Sequence, residues 1–483
     1  VFTGSAVAFT ERVRQDRNSL LQNAAEMPKG RALGWLALIS VLFLGLTLAY
    51  NLRTPYRTAG VYVPAGLKLG RDLTRAQGEE KADIGAPDER AHVNYIRHLA
   101  LGHGFPVFEA GDEEGYENHQ PPLYYLLCVP IDLLACGSDR AEGLLLRVFT
   151  SLIGVVSLWG VFAVARRVTG RDDAALWTTG VAALIPSYLA LSSSVSNDPL
   201  LILWCTLGLL VCVQGAQDGW TWRKVWLCGA ICGVSLLTKI SALALVGFCV
   251  IACLVAGKRL RPGRVLAHAV VVAVLALAIA SPWLVRNTIL YGDPLAVTAF
   301  ARGFAESPSA VDFVAAYGVS GYLVRWVGWW TLRSFFGVFG YMQLFLPGAV
   351  YVAGGLLVAA SLVGGIIWQK TEKEPARRQA SALCWLLFAL VFLSFLRFNA
   401  TYFQAQARYL LPALGPIALG LACGWPRLFP ERLRPRAAWA LLAALLALNA
   451  YALWLLGPGF EAISRPYLYW YSSPSIDNQT RMC

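Results

Sequence analysis

Apolar residues in this chain come in long unbroken runs, not in the alternation of a half-buried strand. Runs of about 17 to 23 apolar residues, the length a helix needs to cross bilayer hydrocarbon, fall near 32–51, 143–165, 174–193, 199–215, 224–238, 240–257, 265–285, 346–368, 380–397, 406–424 and 437–456. The pattern predicts an all-α polytopic membrane protein with eleven spans. A further apolar stretch, 121–136, holds Pro121, Pro122, Pro130 and Asp132. Prolines and an acid are costly in a lipid-facing helix, so this stretch is expected to lie at the surface or re-enter without crossing.

The polar connections decide the topology. RRVTGRDD (166–173), AQDGWTWRK (216–224), KRLRPGR (258–264), QKTEKEPARRQ (369–379) and WPRLFPERLRPR (425–436) are basic, and the connections between them are nearly free of positive charge. The positive-inside rule then puts the N-terminus and the basic loops in the cytoplasm and the C-terminus outside. Counting 121–136 as a span would invert every later loop. The expected division is a cytoplasmic segment 1–31, a transmembrane domain 32–456 and an external tail 457–483. Within the domain, 52–142 and 287–345 are long external segments with helices along the membrane surface.

Composition adds less. The net charge of +12 sits mainly in the short loops, which speaks for orientation and anionic lipid, not for nucleic acid. Most of the eleven cysteines lie in apolar spans, among them Cys205, Cys212, Cys228, Cys232, Cys249 and Cys253. There cysteine acts as a small hydrophobe, and no CxxC pair points to zinc or a redox centre. No repeat and no nucleotide-binding glycine motif is present. Asn399 and Asn478 lie in N-x-T sequons on the side assigned outside.

Titratable chemistry is concentrated in PDERAHVNYIRHLALGHGFPVF, Pro87 to Phe108; this stretch and the nearby His119 hold four of the five histidines. Pro87 fits a first helical position, and Gly102 and Gly104 end the helix. Asp88 and His92 then share a face, with Glu89 beside them. The plain reading is that the acids complement the helix dipole. D-E-R-A-H lacks the second histidine of a zinc helix, so no metal is assigned, and a divalent cation loosely held between carboxylates is the one cofactor the acids admit. In YENHQPPLYYLL (116–127), His119 precedes a rigid Pro-Pro step, and Tyr124 and Tyr125 read as an interfacial belt.

The pair D-E-x-x-H outside the first span, the turn G-x-P-V and the motif H-x-PPLYY together resemble the GT-C superfamily of membrane glycosyltransferases. The likeness is to the branch of the protein O-mannosyltransferases, the aminoarabinose transferase of lipid A and related bacterial membrane proteins. VSNDPLL (195–201), LLTKISAL (236–243), PWLVRNTILYGDP (282–294), SFFGVFGYM (334–342) and QARYLLPAL (406–414) extend it. The resemblance implies a GT-C fold and an inverting enzyme, a hexosyl- or pentosyltransferase of the cell envelope. Such an enzyme moves a sugar from a polyprenyl-phosphate carrier to a glycan, lipid or protein acceptor on the extracytoplasmic side of a bacterial inner membrane. It matches the family's catalytic carboxylate to Asp88 and the second acid to Glu89.

On that reading Asp88 is the base, with Glu89 or His92 orienting it. Lys239, Arg286 and Arg408 fall at outer ends of spans, where they either snorkel to the interface or clamp the leaving phosphate, Arg408 gripping two oxygens; His119 joins them or holds the loop. Asp198 either caps the fourth span, with Pro199 at N1, or is a second carboxylate for sugar hydroxyls or a cation. The alternative function is a non-catalytic GT-C-like scaffold or subunit of a membrane complex. A cavity joining Asp88 to a lipid groove near Arg408 would separate the two.

Overall fold

The computed structural model describes residues 29–62, 79–112, 114–256, 261–303 and 308–464. The expected cytoplasmic segment up to residue 28 and the tail from 465, with Asn478, lie outside them. Each of the eleven apolar runs is helical over most of its length. In chain order the helices are α1 (Lys29–Arg53), α2 (Glu89–Ala100), α3 (Leu123–Leu134), α4 (Asp139–Thr169), α5 (Asp172–Leu184), α6 (Pro186–Ser192), α7 (Asp198–Asp218), α8 (Trp222–Leu236), α9 (Leu243–Ala256) and α10 (Pro262–Tyr291). They continue with α11 (Val297–Gly303), α12 (Ala310–Gly321), α13 (Trp329–Gly337), α14 (Gly348–Thr371), α15 (Pro375–Asn399), α16 (Leu414–Arg427) and α17 (Arg434–Ile463).

Among the described residues, eight helices are long and apolar enough to cross a membrane. The pair α5 and α6, bent by 64° at Ile185, makes a ninth if counted as one span. The expected eleven are not confirmed by that criterion, and the reason is local. α8 has 15 residues, roughly 22 Å of helix against about 30 Å of hydrocarbon. The chain then turns extended at Lys239 (φ −160°, ψ 138°) before α9 begins. The charge that splits this apolar run is turned inward, as the site below shows. α3, with 12 residues, is also too short to cross.

α4 and α7 form the middle of the bundle: 61% and 72% of their apolar windows are buried, against 28% for α1, α10, α14 and α17 at the periphery. α14 and α16 cross in close contact through glycine. A Cβ added at Gly364 would stand 2.0 Å from the carbonyl oxygen of Gly424, so only glycine lets the two backbones touch.

Four of the five basic connections meet at one end of the bundle. Arg167 bonds Asp218 at 2.8 Å, the Arg377 guanidinium packs on Gly170, and Arg427 donates to Thr371 at 2.6 Å. The candidate site gathers at the opposite end, since Asp198 begins the helix that Asp218 ends, and Arg408 begins the helical segment Ala407–Arg427. The first long polar segment contributes α2, α3 and a small antiparallel ribbon, Gly60–Tyr62 on Glu79–Lys81. The second contributes α11 to α13 and the short pair Val338–Phe339 with Leu344–Phe345.

Candidate active site

α2 is fixed to α4 by two ion pairs. Near its start Glu89, fully buried, takes both Nε (2.8 Å) and Nη2 (2.5 Å) of Arg147 and the N–H of Val195 at 2.8 Å. Arg147 spends its remaining donors on the carbonyls of Asn51, Thr54 and Pro55. One buried guanidinium thus ties α2, the end of α1 and the 193–197 turn together. At the other end of α2, Arg97 grips Glu142. Glu89, matched by resemblance to the second acid, has no access to open space; its geometry is that of a structural pair.

Asp88 sits just before α2, not within its first turn, so Pro87 precedes the cap instead of opening the helix. Its backbone is left-handed (φ 66°), and its side chain makes no cap hydrogen bond. A non-glycine residue held there is strained. Instead of complementing the helix end, the carboxylate reaches out: Oδ2 meets Arg408 Nη1 at 2.5 Å, and Oδ1 accepts the Tyr116 hydroxyl at 2.5 Å. Burial alone would raise its pKa, but Arg408 and Tyr116 outweigh burial and lower it to about 2. Asp88 is an anion throughout the physiological range.

The 116–120 loop closes one side. His119 Nδ1 faces the Tyr116 carbonyl at 2.7 Å, and its Nε2 lies 3.2 Å from the Gln120 amide. This defines the tautomer with the proton on Nδ1. Burial lowers its pKa to about 4, so it is neutral and holds the loop. His92 Nδ1 shares a hydrogen bond of 2.8 Å with the Tyr125 hydroxyl. Its pKa is lowered by burial, against the pull of Glu117 and Asp88. Tyr124 and Tyr125 are fully buried, so they are packing and hydrogen-bonding groups in this fold and not an interfacial belt.

The break between α8 and α9 supplies a second ion pair, Lys239 Nζ to Asp198 Oδ1 at 2.5 Å. Asp198 is therefore not the cap of α7. Asn197 takes that place, and its amide reaches the Thr238 carbonyl at 3.3 Å. Burial opposes the charge on Lys239, but the Asp198 carboxylate raises its pKa. Among the described residues, the buried polar atoms here that have no partner include Arg408 Nε, Asp198 Oδ2 and Glu117 Oε2. Glu117 feels His92, Asp88, Lys239 and Arg408, and burial raises its pKa.

The structure thus brings Asp88, His92, His119, Asp198, Lys239 and Arg408 to one region. Arg286 stands apart: it donates to the carbonyls of Phe105 and Pro106 and stacks on Trp283, anchoring the G-x-P-V turn. Tyr116, Glu117 and Arg147 were not among the expected site residues. Glu117 lies within the quoted YENHQPPLYYLL, but nothing in its spacing distinguishes it from the neighbouring Asp112 and Glu114. For a metal ion, two unpaired carboxylate oxygens flanked by Lys239 and Arg408 make a poor cage. No three acidic or imidazole groups of the site, among the described residues, bring ligand atoms together.

Two cavities flank the site. One, of about 540 Å³, is a deep apolar groove between α13, α14, α15 and α16. It runs from Leu396 and Leu410 at the site end to Trp368 and Ser381 near the basic end, past Phe388, Phe392 and Phe395. Leu410 is two residues from Arg408. The other is small and of mixed character, lined by Arg408, Ser187, Ser194, Ser334 and Gln406 together with apolar residues that include Phe339 and Phe460.

The family model for dolichyl-phosphate-mannose-protein mannosyltransferases matches residues 120–285. ArnT from Cupriavidus metallidurans, solved bound to undecaprenyl phosphate, has a similar fold: TM-score 0.53 at 15% identity, covering 89% of this chain and 74% of ArnT. The chain thus shares the fold of a membrane glycosyltransferase, and the family-model match covers about a third of its length. A second GT-C structure, the Archaeoglobus fulgidus oligosaccharyltransferase tethered to an acceptor peptide, aligns with TM-score 0.51 at 15% identity. It covers 90% of this chain, which spans only 56% of the oligosaccharyltransferase. No curated protein matches the chain. The GT-C fold expected from the sequence is present; the shared fold does not assign roles to individual side chains.

Proposed function

We propose that this protein of GT-C fold is an inverting glycosyltransferase that takes a sugar from a polyprenyl-phosphate carrier and passes it to an acceptor hydroxyl. The observation that carries this is the Asp88–Arg408 pair, with an apolar groove whose lining includes Leu410 of the same short segment as Arg408. A scaffold has no need of a strained carboxylate paired with a guanidinium that keeps an unpaired buried N–H. The prenyl tail fills the groove, which places its phosphate at Arg408. There Nε is free to bond it, and the guanidinium trades part of its contact with Asp88 for the phosphate oxygens.

That trade activates Asp88. With Arg408 bound to it, the carboxylate is too weak a base to be useful. Once the phosphate draws Arg408 away, Asp88 accepts the proton of the acceptor hydroxyl as its oxygen attacks the anomeric carbon. The bond from that carbon to the phosphate oxygen breaks, the electron pair stays on the phosphate, and the configuration inverts. Arg408, with Lys239 nearby, balances the charge that develops on the leaving group. Unpaired oxygens of Asp198 and Glu117 suit sugar hydroxyls, and the small cavity beside Arg408 offers serine hydroxyls and phenylalanine rings, which suit the polar and apolar surfaces of a neutral sugar.

The basic end of the bundle is assigned to the cytoplasm by the positive-inside rule, which puts the site on the extracytoplasmic face. In proteoliposomes holding a radiolabelled polyprenyl-phosphate sugar and an envelope extract as acceptor, wild type transfers label. Asp88→Asn transfers at least about 1000-fold less, the range expected for loss of a base together with its charge. Undiminished transfer by Asp88→Asn would remove the assignment.

A further inference from the structure

Six of the eleven cysteines fall between residues 205 and 253, on the three consecutive helices α7, α8 and α9. Small apolar residues scattered through a bundle would face different neighbours, but these converge. Cys212 Sγ of α7 lies 3.9 Å from Cys228 Sγ of α8 and 3.8 Å from Cys249 Sγ of α9. All three sulfurs are within 4.8 Å of one another, and all three residues are fully buried. Cys232, also fully buried, stands one turn after Cys228 on the same helix face. The surrounding cluster is apolar, formed by residues such as Leu209, Val225, Leu245 and Phe248.

From this convergence we infer that Cys212, Cys228 and Cys249, with Cys232 one helical turn from Cys228 as a candidate fourth donor, form a buried site for a thiophilic d10 cation, the chemistry shared by Cu(I) and Zn(II). A tetrahedral ion with metal–sulfur bonds of about 2.3 Å holds its sulfurs about 3.8 Å apart, the spacing of Cys212 from both Cys228 and Cys249. The donor set is all sulfur, in apolar surroundings, which selects soft ions and rejects calcium or magnesium. Binding deprotonates one or two thiols, and the cation neutralises the thiolates it creates, so no net charge need be left in the bundle interior.

The site would join the three helices that carry Asp198 and Lys239. Cys212 lies 14 positions along α7 from Asp198, roughly 21 Å, toward the basic end. A metal there pins α7, α8 and α9 together below the break at Lys239. It is separate from the glycosyl-transfer site and does not depend on that assignment.

The test uses the full chain, purified in detergent without oxygen or thiol reductants. It is titrated in separate arms with Cu(I) and Zn(II) against a competing chelator, and metal per chain is counted. The inference predicts one ion per chain in at least one arm. Affinity then falls about 100-fold or more in each of Cys212→Ala, Cys228→Ala and Cys249→Ala, since even supporting partners of a metal site are worth 10–100-fold. Cys128→Ala and Cys384→Ala, outside the cluster, keep wild-type binding. Copper retained in Cys232→Ala identifies a three-sulfur site; zinc lost in Cys232→Ala identifies a four-sulfur one. Should an alanine variant not fold, the wild-type stoichiometry measured against the two control variants decides. No ion held above the level of the triple alanine variant, or binding unaffected by the three substitutions, overturns the proposal and leaves packed thiols.

Discussion

Replacing either partner of the Glu89–Arg147 pair separates a structural role from a catalytic one. Their side chains are 0% and 2% exposed, so removing one partner leaves a charge in the protein interior, a loss of about 3–5 kcal/mol. The two directions are not equal. Glu89→Gln leaves Arg147 with carbonyl acceptors from Asn51, Thr54 and Pro55, so about 3 kcal/mol is expected. Arg147→Met leaves Glu89 with little beyond the Val195 N–H and strips those carbonyls of their donor, so about 5 kcal/mol is expected. Glu89→Leu combined with Arg147→Met removes both charges and costs less than the sum of the singles. Since unfolding in detergent is commonly irreversible, the assay is the half-life at fixed temperature. A loss of 3 kcal/mol borne by unfolding shortens it about 100-fold. Transfer per folded molecule in Glu89→Gln should stay within about tenfold of wild type, as α2 remains held by Arg97 and Glu142. Wild-type half-life with abolished transfer would refute this reasoning and make Glu89 a catalytic group.

Further consequences are equally concrete. Burial raises the Asp83 pKa to about 6, so the stability its protonated form provides is lost as pH rises from about 4 through 6; His119, lowered to about 4, provides stability that is lost as pH falls from 6.5 through 4. Each is worth about 3 kcal/mol at 1.36 kcal/mol per pKa unit, and the two nearly cancel in wild type. Asp83→Asn, which keeps an acceptor for the Gly85 and Thr58 N–H groups, should expose the His119 dependence as acid lability between pH 6.5 and 4 in thermal melts; a flat profile would contradict this. Gly364→Ala pushes a methyl into the Gly424 carbonyl and should lower thermal stability by about 2 kcal/mol, in the overpacking range; an unchanged melt would mean the α14–α16 crossing is looser than described. Lys239→Met leaves Asp198 unpaired and should reduce transfer and destabilise the α8–α9 break, while Lys239→Arg restores part of both; equal effects of the two substitutions on transfer and on hydrogen exchange at 236–243 would argue against an ion-pair role.

The sequence made the helices legible because hydrocarbon-length apolar runs admit little else. The count of eleven is not confirmed where one charge finds an internal partner: Lys239 is matched by Asp198, 41 residues away, which no local pattern reveals. The basic loops were legible as a set, and four of the five meet at one end. At the site, motif spacing marked Asp88, Asp198, Lys239 and Arg408 as interesting but could not pair them, since their partners lie in other segments. Arg147 reads as an ordinary charge at the start of a span; its role follows only from the depth to which Glu89 is buried. The cysteine cluster escaped notice because its members are 16 and 37 residues apart, with no short motif between them.

The central claim, that a prenyl tail fills the groove while its phosphate replaces part of Asp88 at Arg408, is tested most directly by a density map of the protein with a polyprenyl phosphate. The account predicts the phosphate within about 3 Å of the Arg408 guanidinium and the tail beside Phe388, Phe392 and Phe395. A carrier bound elsewhere on the protein, with the Asp88–Arg408 contact intact and the groove empty, would contradict it.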